Sequence, residues 1–375
     1  MRIALFGGSF DPVHSEHVHL VCAAKESLAL DEVIVIPSFR APHKAWGAHI
    51  AGETRLEMCQ IAFRGLPFVR ISDFELKAGG TSYSYLTCRH FAKEYPDAEL
   101  FFLLGADMLE NFFSWKNPHD IVKNVQIAAC GRGEDGVDGY SERFRCEFGC
   151  DFVKIPYSGA KISSTRLRTE LAFGKKPDGL DPLVLEYIRN HGLFEHPAIL
   201  PALALEKEER QVHSLGVAIM ATARARSVGV SEEKALLASA LHDCGKSVPL
   251  TSPLLDGFTP PEGVPAPVMH QYTGAYLAEH VFGISDEDIL NAIRYHTSGR
   301  ANMTTLEKLV YLSDLLEEGR DYQGVDKLRK LFWKDLDECL STSLGEQIAH
   351  LERSGNEIYS LTQRAYEWAK KVVKS

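Results

Sequence analysis

The sequence predicts an α/β domain built on a doubly wound parallel sheet, followed by a separate all-α domain. Three observations carry that reading. Up to about residue 195, short apolar runs alternate with helical patterns, as strands joined by crossover helices do. Beyond that point strand signal almost vanishes and apolar residues recur at helical spacing. Between the two lies HPAILPALALEKEER, with two prolines and then a charged run, which reads as a linker entering a helix. A length of 375 residues suits two domains, each able to bury its own core.

The elements follow in order. Arg2–Phe6 reads as a strand and His17–Ala29 as a helix. Val33–Ile36 is strand-like and Glu53–Arg64 helical. Phe68–Ser72, Glu99–Leu104, Gln126–Cys130 and Phe152–Ile155 are further strands. In the second half, helical periodicity covers Glu208–Arg226, Glu232–His242, Val268–Phe282, Asp286–His296 and Thr305–Glu318. A last long helix is expected over Gly345–Lys374. The domain limits expected are 1–196 and 197–375.

Composition narrows the function. Hydrophobic residues make up 45% and charged residues 25%, ordinary for a globular protein. A net charge of −10 disfavours a nucleic-acid binder but not a site for small phosphorylated molecules. No apolar run has the roughly 20 residues of a membrane helix. The N-terminus, MRIALFGGSFDP, does not read as a signal peptide. Eight scattered cysteines, with Cys146 and Cys150 unmatched by a second pair, read as reduced thiols. A cytoplasmic protein is expected.

The first chemical signal is GGSFDPVHSEH, from Gly7 to His17. It follows a predicted strand and opens a predicted helix, the place where open α/β sheets bind ligands. Gly7 and Gly8 permit close backbone approach to a phosphate. The helix start favours negative charge. His14 and His17, three apart, share one face and can donate hydrogen bonds to a triphosphate. The second signal is KISSTRLR, Lys161 to Arg168. Ser163 and Ser164 precede a helix, and Arg168 lies one turn along, a second phosphate cradle.

Together these segments resemble the Rossmann-like nucleotidyltransferases with HxGH and ISSTxxR motifs. The likeness extends to the nicotinate mononucleotide adenylyltransferase family. Pro42-His43-Lys44 is similar to its PHK, Arg55 and Met58 to its RxxM, and Asp73 and Glu75 to its DxE. Thr81-Ser82-Tyr83-Ser84 resembles its SYT segment, and Gly105-Ala106-Asp107 with Trp115 its GAD…W. The resemblance implies transfer of AMP from ATP to nicotinate mononucleotide, giving deamido-NAD and pyrophosphate with Mg²⁺. It implies that the loop Gly7, Gly8, Ser9, Phe10 receives the nucleotide. His14, His17, Ser163, Ser164 and Arg168 would hold the triphosphate, with Lys44 as a further phosphate ligand. Asp107 would contact ATP, and Ser84 and Trp115 the nicotinate end. PHK and GAD…W argue against a cytidylyltransferase or a pantetheine-phosphate adenylyltransferase. One departure is clear: Glu16 stands where the family has glycine. A carboxylate near a triphosphate repels it, so Glu16→Gly is expected to leave turnover unchanged or to raise it.

The second half offers His213, His242-Asp243, His270, His296 and Asp314 on separate predicted helices. Such groups inside apolar helices are costly unless paired or bound to metal, so a metal cluster is the better reading. The set resembles the HD phosphohydrolase superfamily. LASALHDCGK, His270 with Gly274-Ala275, AIRYHTSG and SDLLEEGR bring it close to the symmetrical diadenosine tetraphosphate hydrolases, with Glu318 where proline is expected. The resemblance implies that His213, His242, Asp243 and Asp314 hold one metal and that His270 and His296 help hold a second, typically iron. Lys246 and Arg320 would hold substrate phosphates. The rival reading is a regulatory module that binds adenine nucleotides without turnover, or a hydrolase of another nucleotide. Oligomeric state is not legible.

Overall fold

A computed structural model describes residues 1–41, 50–131, 137–157, 159–160 and 162–373; of Asp107 and Asp138 it describes the backbone only. The expectations for Lys44 and for the Asp107 side chain therefore lie outside the described residues. The chain divides into two compact units, Met1–Leu167 with Lys176–Phe194, and Arg168–Lys175 with Glu195–Ser375.

The first unit is built on six strands: β1 Arg2–Gly8, β2 Glu32–Pro37, β3 Val69–Ile71, β4 Glu99–Gly105, β5 Gln126–Cys130 and β6 Val153–Ile155. All pair in parallel in the order β3-β2-β1-β4-β5-β6. Every strand that the sequence predicts is present. The strands are apolar on successive residues because both faces are covered. Ile3, Leu5, Ile34, Phe102 and Ile127 face one core, while Ala4, Val33, Val35, Phe101 and Ala128 are buried as well. Helices α1 Ser15–Ser27, α2 Gly52–Phe63, α3 Phe74–Ala78, α4 Ser84–Glu94, α5 Ala106–Phe112, α6 Pro118–Asn124, α7 Ser141–Phe148 and, after α8 Ser164–Ala172, of which residues from Arg168 on belong to the second unit, α9 Pro182–Asn190 complete the series. Strand order reverses between β1 and β4, and the crevice beyond their carboxyl ends is the binding position of such sheets.

The second unit is helical: α10 Ile199–Leu203, α11 Glu208–Ala225, α12 Glu232–Leu241, α13 His270–His280, α14 Glu287–Arg294, α15 Thr305–Leu316, α16 Val325–Lys334, α17 Leu336–Arg353 and α18 Ser360–Val372. Two expectations need correction. The segment expected as a linker forms α10, whose Ile199, Ala202 and Leu203 are buried in the core of this unit with Ala172 and Phe173. The long helix expected over 345–374 is two helices. Asp335 caps α17 by accepting the amides of Asp337 and Glu338, which starts it nine residues earlier. After Arg353 the chain turns through Gly355, whose φ of 66° ends the helix.

Candidate active sites

In the first unit the loop after β1 and the first turn of α1 line a cavity of about 320 Å³ with Gly7, Gly8, Ser9, Phe10, His14, Glu16 and His17. A Cβ on Gly8 would lie 2.8 Å from the Phe10 ring, so only glycine fits there. His14 caps α1 in an extended conformation. Its amide donates to His17 Nδ1 at 3.1 Å, and the two rings stack with centroids 3.7 Å apart. An accepting Nδ1 leaves the hydrogen of a neutral imidazole on Nε2, so His17 is set as a donor. Phe10 borders the cavity while largely buried, edge-on to His17 at 5.0 Å, and supports that ring. Arg55, also buried, donates to the carbonyls of Ser9 and Ser38 at 2.6 Å each and to that of Ile50 at 3.1 Å. It fixes the loop after β1 to the end of β2, and burial lowers its pKa.

Trp115 and Met108 line this cavity and also a second one of about 490 Å³ with Tyr83, Ser84 and Lys116. Expected nicotinate-end and phosphate-end residues are thus brought to adjoining spaces. Ser164 Oγ donates to the Pro12 carbonyl at 3.1 Å, which joins the two predicted phosphate segments. Ser163 Oγ accepts the Arg166 amide at 3.3 Å, a cap for the start of α8. Arg168 lies in the second unit, is 6% exposed, and pairs with the Glu232 carboxylate, whose other oxygen takes Arg226 Nε at 2.9 Å.

In the second unit the six expected ligands converge from α11, the end of α12, the start of α13, the turn after α14, and α15. Ligand atoms of His213, His242 and Asp314 all lie within 4.8 Å of one another, as do those of His242, Asp243 and His296. His270 Nε2 is 3.1 Å from His296 Nε2 and 3.4 Å from Asp243 Oδ1. Close glycine packing allows this. A Cβ on Gly245 would stand 2.4 Å from the Gly274 amide nitrogen, so α13 can seat against the turn carrying Asp243.

The donor set fits metal. His242 and His296 each donate Nδ1–H to a backbone carbonyl, of Ser239 and Ile293, at 2.7 Å. A carbonyl only accepts, so both Nε2 atoms carry lone pairs. His242 Nε2 and Asp243 Oδ1 are buried and lack a hydrogen-bond partner among the described residues. Burial holds the His242 imidazole down at about 4 and His270 at about 3, so both are neutral at pH 7. Burial alone would raise Asp243 and Asp314, but the surrounding groups together outweigh it, His242, His296 and Lys246 at Asp243 and His213, His242 and His296 at Asp314; both carboxyls lie well below their usual range. Such ligands bind divalent ions with little competition from protons.

A cytidylyltransferase-like family matches residues 5–170, and the HD domain matches residues 210–319. A Clostridium perfringens protein named probable nicotinate-nucleotide adenylyltransferase is 35% identical over 197 residues, 52% of this chain and 98% of that protein. The chain belongs to the nicotinate-nucleotide adenylyltransferase family. Its likeness to one relative continues into the helical unit. A Mycoplasma pneumoniae protein named probable nicotinate-nucleotide adenylyltransferase/Ap4A hydrolase is 29% identical over 88% of this chain and 95% of its own length. A Clostridium acetobutylicum crystal structure, described as a predicted HD superfamily hydrolase involved in NAD metabolism, is 33% identical with a TM-score of 0.41, covering 45% of this chain and 93% of that one.

Within the adenylyltransferase motif, Glu16 is tied down: Tyr157 donates its hydroxyl hydrogen to Oε2 at 2.7 Å. In the HD domain, which implies divalent metal, three residues escaped the sequence reading. Glu317 Oε1 accepts from His213 Nδ1 at 3.1 Å, which turns His213 Nε2 to Asp314 Oδ1 at 2.9 Å. Burial lowers the His213 pKa, but its bonds to Asp314 and Glu317 win and raise it. Arg210 pairs with Asp243 Oδ2 beside Lys246 at 3.3 Å, while Arg320 Nη2 reaches Asp314 Oδ1 at 2.7 Å. Glu206 is buried and accepts from Ser214 Oγ at 2.9 Å. Glu317 stood within the quoted SDLLEEGR, three residues after Asp314; Arg210 and Glu206 left no signal in a charged run.

Proposed function

We propose that this chain is a bifunctional nucleotide enzyme, with residues 1–196 carrying adenylyl transfer and residues 197–375 carrying hydrolysis. The first activity transfers AMP from ATP to nicotinate mononucleotide. The mononucleotide phosphate attacks the α-phosphorus of ATP, the bond to the β-phosphate breaks, and deamido-NAD and pyrophosphate leave. No protein nucleophile is required, so the chain contributes positioning and charge stabilisation. His17 donates Nε2–H towards the triphosphate, helped by His14, the Gly7–Gly8 backbone and the start of α1. Ser84 and Trp115 receive the nicotinate end, and Mg²⁺ accompanies ATP.

The second activity cleaves diadenosine tetraphosphate symmetrically to two ADP. Two divalent ions, when bound, would supply activation of water and charge stabilisation at the anhydride. His213, His242, Asp243 and Asp314 would hold one, with His270 and His296 helping hold the other. The imidazole–carboxylate set suits iron or manganese, and iron is our choice. Arg210, Lys246 and Arg320, gathered on the ligand carboxylates, are placed to meet substrate phosphates. The enzyme works in the cytoplasm, without nucleic acid or membrane.

The observation that carries this reading is one chain holding both a donor-set His17 beside a glycine loop and a six-ligand cluster with two inward lone pairs. Purified full-length protein is expected to form deamido-NAD with ATP and Mg²⁺, preferring nicotinate mononucleotide to the nicotinamide form. It is expected to contain two transition metals and to yield ADP alone from diadenosine tetraphosphate. AMP plus ATP as products, or a metal-free active protein, would overturn the second assignment; binding without turnover would return that half to a sensor.

A further inference from the structure

Glu16 stands at the motif position where the family has glycine, yet it is not turned out to solvent. Its side chain is 8% exposed in the first turn of α1 and borders the same cavity as His14 and His17. A carboxylate so placed is costly without partners, and both its oxygens have one. Tyr157, two residues after β6, donates to Oε2 at 2.7 Å, and His19 Nδ1 lies 3.2 Å from Oε1. The space it fills is left open elsewhere in the chain. A Cβ on Gly159 would fall 2.1 Å from Glu16 Oε2. Bulk at position 16 is thus matched by its absence at position 159.

We propose that Glu16 is a positioning residue for the nucleotide: it fastens Tyr157, just beyond β6, to the first turn of α1. The proposal rests on the adenylyl-transfer reading. Ser164 makes a second tie to the turn before α1, where its Oγ meets the Pro12 carbonyl. Ordering a loop costs roughly 1–2 kcal/mol per residue in backbone entropy. Residues already fastened, as Tyr157 and Ser164 are, do not incur that cost when ATP binds, so the tie favours binding more than the chemical step. Glu16 therefore aids binding despite its repulsion of phosphate, and Glu16→Gly is expected to raise KM for ATP while turnover at saturation is kept.

The test uses the full chain and the variants E16A, Y157F, E16A/Y157F, E16Q and G159A, with thermal melts to confirm folding. Loss of a hydrogen bond to a charged group corresponds to about 10-fold to 100-fold in affinity. E16A and Y157F should each raise KM for ATP by about that factor, with kcat held within about threefold. The double variant should be no worse than either single one, since both remove one interaction. E16Q should keep a low KM, because its amide oxygen still accepts from Tyr157. G159A should behave as E16A, and adding E16G to it should cost nothing further. Calorimetric binding of a non-hydrolysable ATP analogue reads the tie without turnover, so a chain inactive towards nicotinate mononucleotide fails the activity reading and not this one. Unchanged analogue affinity in Y157F, or additive losses in the double variant, overturns the proposal.

Discussion

At the scale of single residues, the two sites depend on which atom carries a hydrogen. His17 Nδ1 is taken by the His14 amide, so a neutral ring carries its hydrogen on Nε2. His17→Ala is expected to lower AMP transfer about 10²-fold to 10³-fold, as loss of one donor to developing charge does; a pyrophosphate-release assay checks this. His242 and His296 show the opposite setting, with lone pairs turned inward. His242→Ala and Asp243→Ala should each abolish hydrolysis and reduce bound metal in elemental analysis, whereas His296→Ala should mainly weaken the second ion. Glu317→Ala should also lower metal affinity, about 10-fold to 100-fold, because His213 loses its orienting partner. Glu206 gives a pH prediction. Burial pushes its carboxyl up to about 7, against the Ser214 bond and with help from the Asp243 charge. Below the ordinary glutamate value both folded and unfolded chains hold the proton. Between there and about 7 the unfolded chain gives it up first, so this group's contribution to stability is lost as pH rises. Glu206→Gln cannot ionise and should gain over the parent with pH, by up to about 3 kcal/mol at pH 8. Denaturant unfolding at pH 5 and pH 8 measures that gap; an equal gap at both would falsify it.

At the scale of elements, close backbone approach decides whether ligands on different helices can meet. Gly245 and Gly274 let α13 seat against the turn after α12, which carries His270 to within 3.4 Å of Asp243. Gly245→Ala should push the two apart. We expect a loss of about 1–3 kcal/mol in stability, together with a larger fall in hydrolysis than in melting temperature. A variant with normal metal content and turnover would show that the turn has slack. In the first unit, Arg55 plays the corresponding part through three carbonyls, which no periodicity in its helix could have indicated. The missed break near Gly355 has a similar origin. The break begins where Gly355 takes a positive φ, and six residues, 354–359, separate α17 from α18.

At the scale of the whole molecule, the two activities use different residues and different ions. Asp243→Ala should therefore leave deamido-NAD formation within about twofold, and His17→Ala should leave hydrolysis unchanged; parallel assays on one preparation test both. The sequence by itself determined the six strands and the change to helices, because alternation and period are local properties of the chain. It also determined the six metal-binding candidates and the glycine–histidine loop, since residue type at such spacing already limits the chemistry. Only tertiary structure decided where Arg168, Glu16, Arg210 and Glu317 are directed. Arg168 reads as a triphosphate ligand by motif yet is paired with Glu232, 64 residues on. Glu16 reads as a repelling charge yet is held by Tyr157, 141 residues on. A buried charged group must find its partner, and that partner comes from whichever distant segment the fold brings within about 3 Å.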